Sequence, residues 1–215
     1  MMEVQSLEDS LWTRHHIKHW KGYYEYDTES NQNYIVIGGE QVPVNTFIGC
    51  DPATDIDTKW SDFSVIMVIA IDTNNELYVL EYERHRSIQK YHAISSTVED
   101  VAMNRSVFQA LNEERRRLNK FDIAVISEKP GGKNKMNRVY SGLSGRFSMG
   151  TIHVRDNMFD LINEIITFGP RMAHDDTIET LYYSQLHSFP PNIERDGNTK
   201  SWYVPKKKAK SWIVA

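Results

Sequence analysis

A chain of 215 residues, 40% apolar and 25% charged, is long enough to bury one substantial core and too short for two comfortable ones. It has no run of about 18 apolar residues, so it offers no candidate for an apolar membrane-spanning helix, and MMEVQSLEDSLW lacks the basic-then-apolar layout of a signal peptide. The net charge of −4 argues against a general nucleic-acid coat, whose affinity comes from Lys and Arg, but not against a protein that gathers carboxylates to hold metal ions. The single cysteine, Cys50, cannot form an internal disulfide, which makes a reducing, cytosolic compartment the default.

The first 45 residues carry the weakest pattern. HHIKHWKGYYEYD is rich in His, aromatics and charge; its histidines at 15, 16 and 19 have no further partner at ligand spacing and read as a surface segment rather than a metal site. IVIGGEQVPV predicts a short hairpin turning at Gly38-Gly39. TFIGC is a short apolar strand that stops on Asp51, followed by the polar loop DPATDIDTKWSD. The near-continuous apolar run Ser64 to Ile71 predicts a strand covered on both faces. Asp72 to Asn75 has turn chemistry, and ELYVLEYER returns as a second, alternating strand.

Residues 94 to 98 form a further strand candidate ending on Glu99-Asp100. Met103 to Leu118 predicts a helix with Val107, Phe108, Leu111 and Leu118 on one face. DIAVIS (122–127) reads as a short buried strand, and Pro130-Gly131-Gly132 breaks the chain. Met136, Val139, Tyr140 and Leu143 mark a helix, TIHV a short strand, and Met158, Leu161, Ile162, Ile165 and Ile166 a second helical stripe stopped by Gly169-Pro170. A last helix starts at Asp175 or Asp176, with Ile178, Leu181, Tyr182 and Leu186 facing inward. After Pro190 the chain turns polar and contains PKKKAK, a run that reads as a solvated tail.

Acidic residues at element ends are usually caps or solvated turns, and Asp175 or Asp176 would cap a helix well whatever the function. Three features point further. Asp51 follows an apolar strand directly, Glu99 follows a strand-like segment and opens a helix, and Asp175-Asp176 after His174 sets two like charges side by side. Adjacent carboxylates repel unless a cation neutralises them. If the first and fourth strands are neighbours, Asp51 and Glu99 meet at one end of the sheet, where a helix beginning at Asp176 could cross. Oxygen-only ligands suit Mg²⁺ or Mn²⁺ rather than Zn²⁺.

Four blocks, in order from about residue 46 to 187, resemble the C-terminal nuclease domain of the large terminase subunit of tailed bacteriophages: FIGCDPA with SDFSVIMVIAID and ELYVLEYERHR; TVEDVAMNRSVFQAL; KNKMNRVYSGLSGRFSMGTIHV; and LINEIITFGPRMAHDDTIETLYY. The resemblance implies an α/β, RNase H-like mixed sheet with an antiparallel hairpin, flanked by helices. It implies a segment 1–45 ahead of a nuclease domain at 46–190 and a tail at 191–215. Asp51 would be the first metal ligand, Glu99 the middle one, and Asp175 and Asp176 the final acidic pair, together holding two Mg²⁺ or Mn²⁺ ions. Asp62, after Trp60-Ser61, would lie near the site or cap a turn. Lys133, Lys135 and Arg138 would meet DNA phosphates or form a charged helix start on the surface.

The activity implied is endonucleolytic cutting of concatemeric double-stranded viral DNA during genome packaging, in the host cytoplasm. The partners implied are the ATPase domain, the small terminase subunit and the portal. Two departures stand out. A G-x-x-x-x-G-K-[ST] phosphate loop is missing, since GGKNK lacks the spacing, so the chain reads as a nuclease domain without its motor. The family's helix between its third and fourth strands has no room between Arg84 and His92; that piece is shortened, or residues are missing before Glu99. Other readings are an RNase H-like nuclease such as a Holliday-junction resolvase, and a non-catalytic docking module whose carboxylates only cap helices.

Overall fold

In a computed structural model, the protein is described at residues 10–51, 65–83, 91–99, 113, 116, 123–129, 134–170, 172 and 175–192. The expected loop containing Asp62, most of the 103–118 helix, the Pro130-Gly131-Gly132 break with Lys133, His174 and the basic tail lie outside these residues. The strands are β1 (Lys18–His19), β2 (Tyr23–Asp27), β3 (Gln32–Ile37), β4 (Glu40–Asp51), β5 (Val65–Asp72), β6 (Leu77–Glu83), β7 (Ser95–Glu99), β8 (Ala124–Glu128) and β9 (Ile152–Val154). The helices are α1 (Lys135–Met149), α2 (Phe159–Thr167) and α3 (Asp176–Gln185). Among the described residues, no helix is long and apolar enough to cross a membrane.

Among the described residues, nine strands join one mixed sheet built around β4. One edge of β4 pairs antiparallel with β5 along residues 44–51. The other edge is shared end to end: residues 40–44 pair antiparallel with β3, and Phe47–Cys50 pair parallel with β7. β5 and β6 form the expected antiparallel hairpin, whose turn is held by Asp72 Oδ1 accepting from the amides of Asn74 and Glu76, each at 2.8 Å. β8 extends the sheet parallel to β7, and β9 and β1 extend the far side parallel to β6. A mixed sheet with an antiparallel hairpin and flanking helices is the architecture that the resemblance implies.

Alternation along β5 divides the interior. Met67, Ile69 and Ile71 face one cluster, shared with all three helices, whereas Val68 and Ala70 face a second, with Trp20, Ile35, Val44, Leu80 and Tyr91. The hairpin at Gly38-Gly39 is present, with φ of 61° and 91° there, as a two-residue turn requires.

The segment before residue 46 is more integrated than its sequence suggests. β4 runs unbroken through residue 45, and Trp12, Ile17 and Trp20 are buried. Trp12 stacks between Tyr140 and Phe168, with ring centroids at 5.7 and 4.8 Å, so this part of the chain packs as part of the sheet and core rather than as a linker. β8 begins at Ala124 and is half-buried rather than buried, because among the described residues it pairs only with β7. The approach to β7 is hooked onto β4: Thr46 Oγ1 donates to the Tyr91 carbonyl at 2.8 Å, and the Ile94 amide donates to the Thr46 carbonyl at 2.8 Å.

Candidate active site

Strand register assembles the acids. Phe47, Gly49 and Asp51 alternate onto the helix-covered face of β4, and Phe47 and Gly49 stand opposite Ser95 and Thr97 of β7. One step further along this parallel register sets Asp51 beside Glu99, and Glu99 pairs in turn with Glu128 on β8. A row of carboxylates therefore lies at the C-terminal ends of three adjacent parallel strands, the usual place for a ligand site in sheets with parallel strands. Glu128 Oε2 is engaged by His187 Nε2 at 3.1 Å.

Helix α3 crosses this end because Gly49 has no side chain. A Cβ there would lie 2.4 Å from the Thr180 carbonyl oxygen and 2.6 Å from the Ser184 amide nitrogen, so the helix backbone rests directly on the strand. Such contact buries α3 all round: Thr177, Ile178, Glu179, Thr180, Leu181, Tyr183 and Ser184 are all buried. Ile178 and Leu181 face inward as expected, Tyr182 and Leu186 are half-buried, and the fully buried tyrosine is Tyr183.

The first turn of α3 brings Asp175, Asp176 and Glu179 to Asp51 and Glu99. Burial, then Glu179, Glu99 and Asp176, push the Asp51 carboxyl up to about 8, against an opposing pull from Lys135. Two cations from the start of α1 are drawn in. Lys135 Nζ pairs with Asp175 at 2.9 Å and with Glu179. Arg138 Nη2 donates to Glu179 Oε1 at 2.8 Å and lies 3.5 Å from Glu99 Oε1. Burial pulls Lys135 down, but Glu179 and Asp175 outweigh it and hold the ammonium above its usual range. Burial raises Glu179 despite Lys135. Tyr183 donates its hydroxyl to Glu99 Oε1 at 2.7 Å, and burial together with that bond raises the phenol.

Asp51, Glu99, Asp175 and Asp176 thus share one neighbourhood. Lys135 and Arg138 also enter it, with the Arg138 side chain only 9% exposed and directed at carboxylates. Glu179 and Tyr183 escaped the sequence reading. Glu179 was detectable in principle, since it stands one helical turn after Asp176 and so shares its face; nothing in the sequence marked Tyr183 over Tyr182.

No protein-family model matches the chain, and no curated protein matches it. Among solved structures, the large terminase nuclease from thermophilic phage G20c with bound magnesium is similar, with a TM-score of 0.49 at 17% identity, covering 82% of this chain and 97% of that one. The chain resembles a large terminase nuclease. The Thermus phage P74-26 large terminase nuclease domain gives a TM-score of 0.45 at 16% identity, covering 78% of this chain and 89% of that one. The fowlpox virus Holliday junction resolvase gives 0.36 at 13%, covering 64% and 93%.

The donor set has the chemistry of a hard divalent cation site. Its carboxylates (Asp51, Glu99, Asp175, Asp176 and Glu179) outnumber Lys135 and Arg138, and Glu179, Glu99 and Asp176 add to burial in raising Asp51. Among the described residues, no three His, Cys, Asp or Glu side chains already converge on one point; Lys135 spans Asp175 and Glu179. Oxygen donors with surplus negative charge fit Mg²⁺ or Mn²⁺.

Proposed function

We propose that this protein is a metal-dependent DNA endonuclease that cuts concatemeric viral DNA during genome packaging. The observation that carries the reading is the gathering of Asp51, Glu99 and the Asp175-Asp176 pair at one sheet end, with negative charge in excess. The ordered sequence blocks supply the packaging context.

In this reading Asp51, Glu99, Asp175 and Asp176 hold two Mg²⁺ or Mn²⁺ ions. Two such ions would supply an activated water and offset charge on the leaving oxygen of a phosphodiester. The remaining residues organise these ligands. Glu179 ties Lys135 and Arg138 to the cluster, Tyr183 orients Glu99, and the Lys135 ammonium, 41% exposed, is the cation best placed to meet a DNA phosphate. Lys133, outside the described residues, is the other cation proposed to meet DNA, while Arg138 is turned to Glu99 and Glu179. The ATPase domain, the small terminase subunit and the portal are the proposed partners, in the host cytoplasm.

The test is nicking of supercoiled plasmid with Mg²⁺ or Mn²⁺, and with EDTA. Metal-dependent nicking that Asp51→Asn abolishes without unfolding is expected. Cutting confined to four-way junctions would redirect the reading to a resolvase. Absence of nicking together with an unfolding midpoint indifferent to Mn²⁺ would leave a docking module.

A further inference from the structure

The helix that delivers Asp175 and Asp176 does not cap itself. Asp175 holds the N-cap position of α3, a place where an aspartate normally accepts from the amides of the first turn. Its side chain makes no such bond and pairs with Lys135 instead. A helix start leaves its leading amides without intrahelical acceptors, and buried ones need partners. Here the amides of Thr177 and Ile178 both donate to one oxygen, Oε2 of Glu164, each at 2.9 Å.

Glu164 comes from a different helix, α2, on a face that also carries the core residues Leu161 and Ile165. It is only 5% exposed. Burying a carboxylate is costly unless it is hydrogen-bonded, and the two amides at the positive end of α3 meet that need. The arrangement fixes the first turn of α3 against α2 and leaves the Asp175 carboxylate outside the cap.

We propose that Glu164 is a positioning residue of the metal centre: capping α3 from α2, it releases Asp175 from capping its own helix and holds Asp175 and Asp176 toward Asp51 and Glu99. The proposal rests on the reading of those carboxylates as metal ligands. Without Glu164, Asp175 stands at the N-cap position from which an aspartate accepts first-turn amides, and turning to them would withdraw it from Lys135.

The experiment compares the full chain with Glu164→Ala and Glu164→Gln, following Mn²⁺ titrations by thermal unfolding and by plasmid nicking. Glu164→Ala is expected to raise the Mn²⁺ concentration for half-maximal stabilisation by about tenfold to a hundredfold, with a parallel shift in nicking. Glu164→Gln keeps an oxygen able to accept both amides and is expected to stay close to wild type. An unchanged half-saturation in Glu164→Ala, or a Glu164→Gln variant as impaired as Glu164→Ala, overturns the proposal. If Glu164→Ala does not fold, Glu164→Asp takes its place: one methylene shorter, it falls short of the amides and should show the same shift, while a wild-type response in it overturns the proposal. A wild-type chain that responds to Mn²⁺ while these variants match it sinks the positioning role alone, whereas a wild-type chain with no response sinks the nuclease reading and this proposal with it.

Discussion

Gly49 and Thr180 meet backbone to backbone: a Cβ on the glycine would lie 2.4 Å from the threonine carbonyl oxygen. Two residues before Asp51 and four after Asp176, this contact sets the distance between the strand that carries one acid and the helix that carries the others. Gly49→Ala must therefore push α3 off β4. The expected cost is about 1–3 kcal/mol, as for other overpacked cores, seen as a lower unfolding midpoint together with a weakened Mn²⁺ response. Gly145 is the control, since a Cβ there meets nothing within 4 Å. Gly145→Ala, in the interior of α1, should stabilise by about 0.5–1 kcal/mol. Equal effects at the two glycines would refute the contact argument.

Asp51 and Glu164 make the metal-free protein sensitive to pH. The Asp51 carboxyl is raised from 3.8 to about 8, and Glu164 from 4.5 to about 7, burial being the leading cause for both. Groups whose folded values lie above their unfolded ones contribute stability that is fully present below the unfolded values and lost as pH climbs through the folded ones. In EDTA the unfolding midpoint should therefore decline between about pH 5 and pH 8, and Asp51→Asn should flatten part of that slope. A cation requires the ionised acid, so apparent Mg²⁺ affinity should rise by about tenfold per pH unit up to about pH 8. Calorimetry across this range checks both; a midpoint in EDTA that rises over the same interval would contradict the assignment.

What could be read from the sequence depended on how each residue announces its surroundings. Asp51 was visible because an apolar strand stops abruptly on it, Glu99 because it ends a strand-like segment inside a family-like block, and Asp175-Asp176 because two adjacent like charges need an explanation. Glu179 was not, because a glutamate one turn into a helix looks like an ordinary solvated residue; only α3 lying directly on Gly49 buries it. The same burial defeated periodicity on α3, where polar Thr177, Thr180 and Ser184 are as inaccessible as Ile178. The early strands were illegible for the opposite reason. β1 and β2 are short and largely exposed, and single large residues, Trp12 and Trp20, do the anchoring instead of a repeating pattern.

Arg138 holds two acids with one guanidinium, donating to Glu179 at 2.8 Å and lying 3.5 Å from Glu99. Removing it leaves like charges facing each other with little solvent to screen them. Arg138→Ala should cost about 3–5 kcal/mol in EDTA, the range for breaking a buried ion pair. Mn²⁺ should restore part of the loss by supplying replacement positive charge. Arg138→Lys should not rescue fully, since an ammonium lacks the planar fork that serves two carboxylates. Urea unfolding with and without Mn²⁺ measures these effects, and a loss near zero in EDTA would show that the guanidinium is not carrying the charge balance.

Tyr183 separates orientation from packing. Its ring is fully buried and its hydroxyl donates to Glu99 Oε1 at 2.7 Å, on the side of Glu99 also approached by Arg138. Tyr183→Phe keeps the ring and removes only the donor, so the core should survive with a loss of about 1.5–3 kcal/mol, typical of a hydrogen bond to a charged acceptor. Among the described residues Glu99 would then keep only Arg138 as a side-chain partner and would be freer to turn away from Asp51. The expected signature is plasmid nicking slowed by about tenfold or more, as for other groups that orient metal ligands, with plasmid affinity little changed. If nicking falls only in proportion to the unfolded fraction measured under the same conditions, the hydroxyl serves stability and not the site.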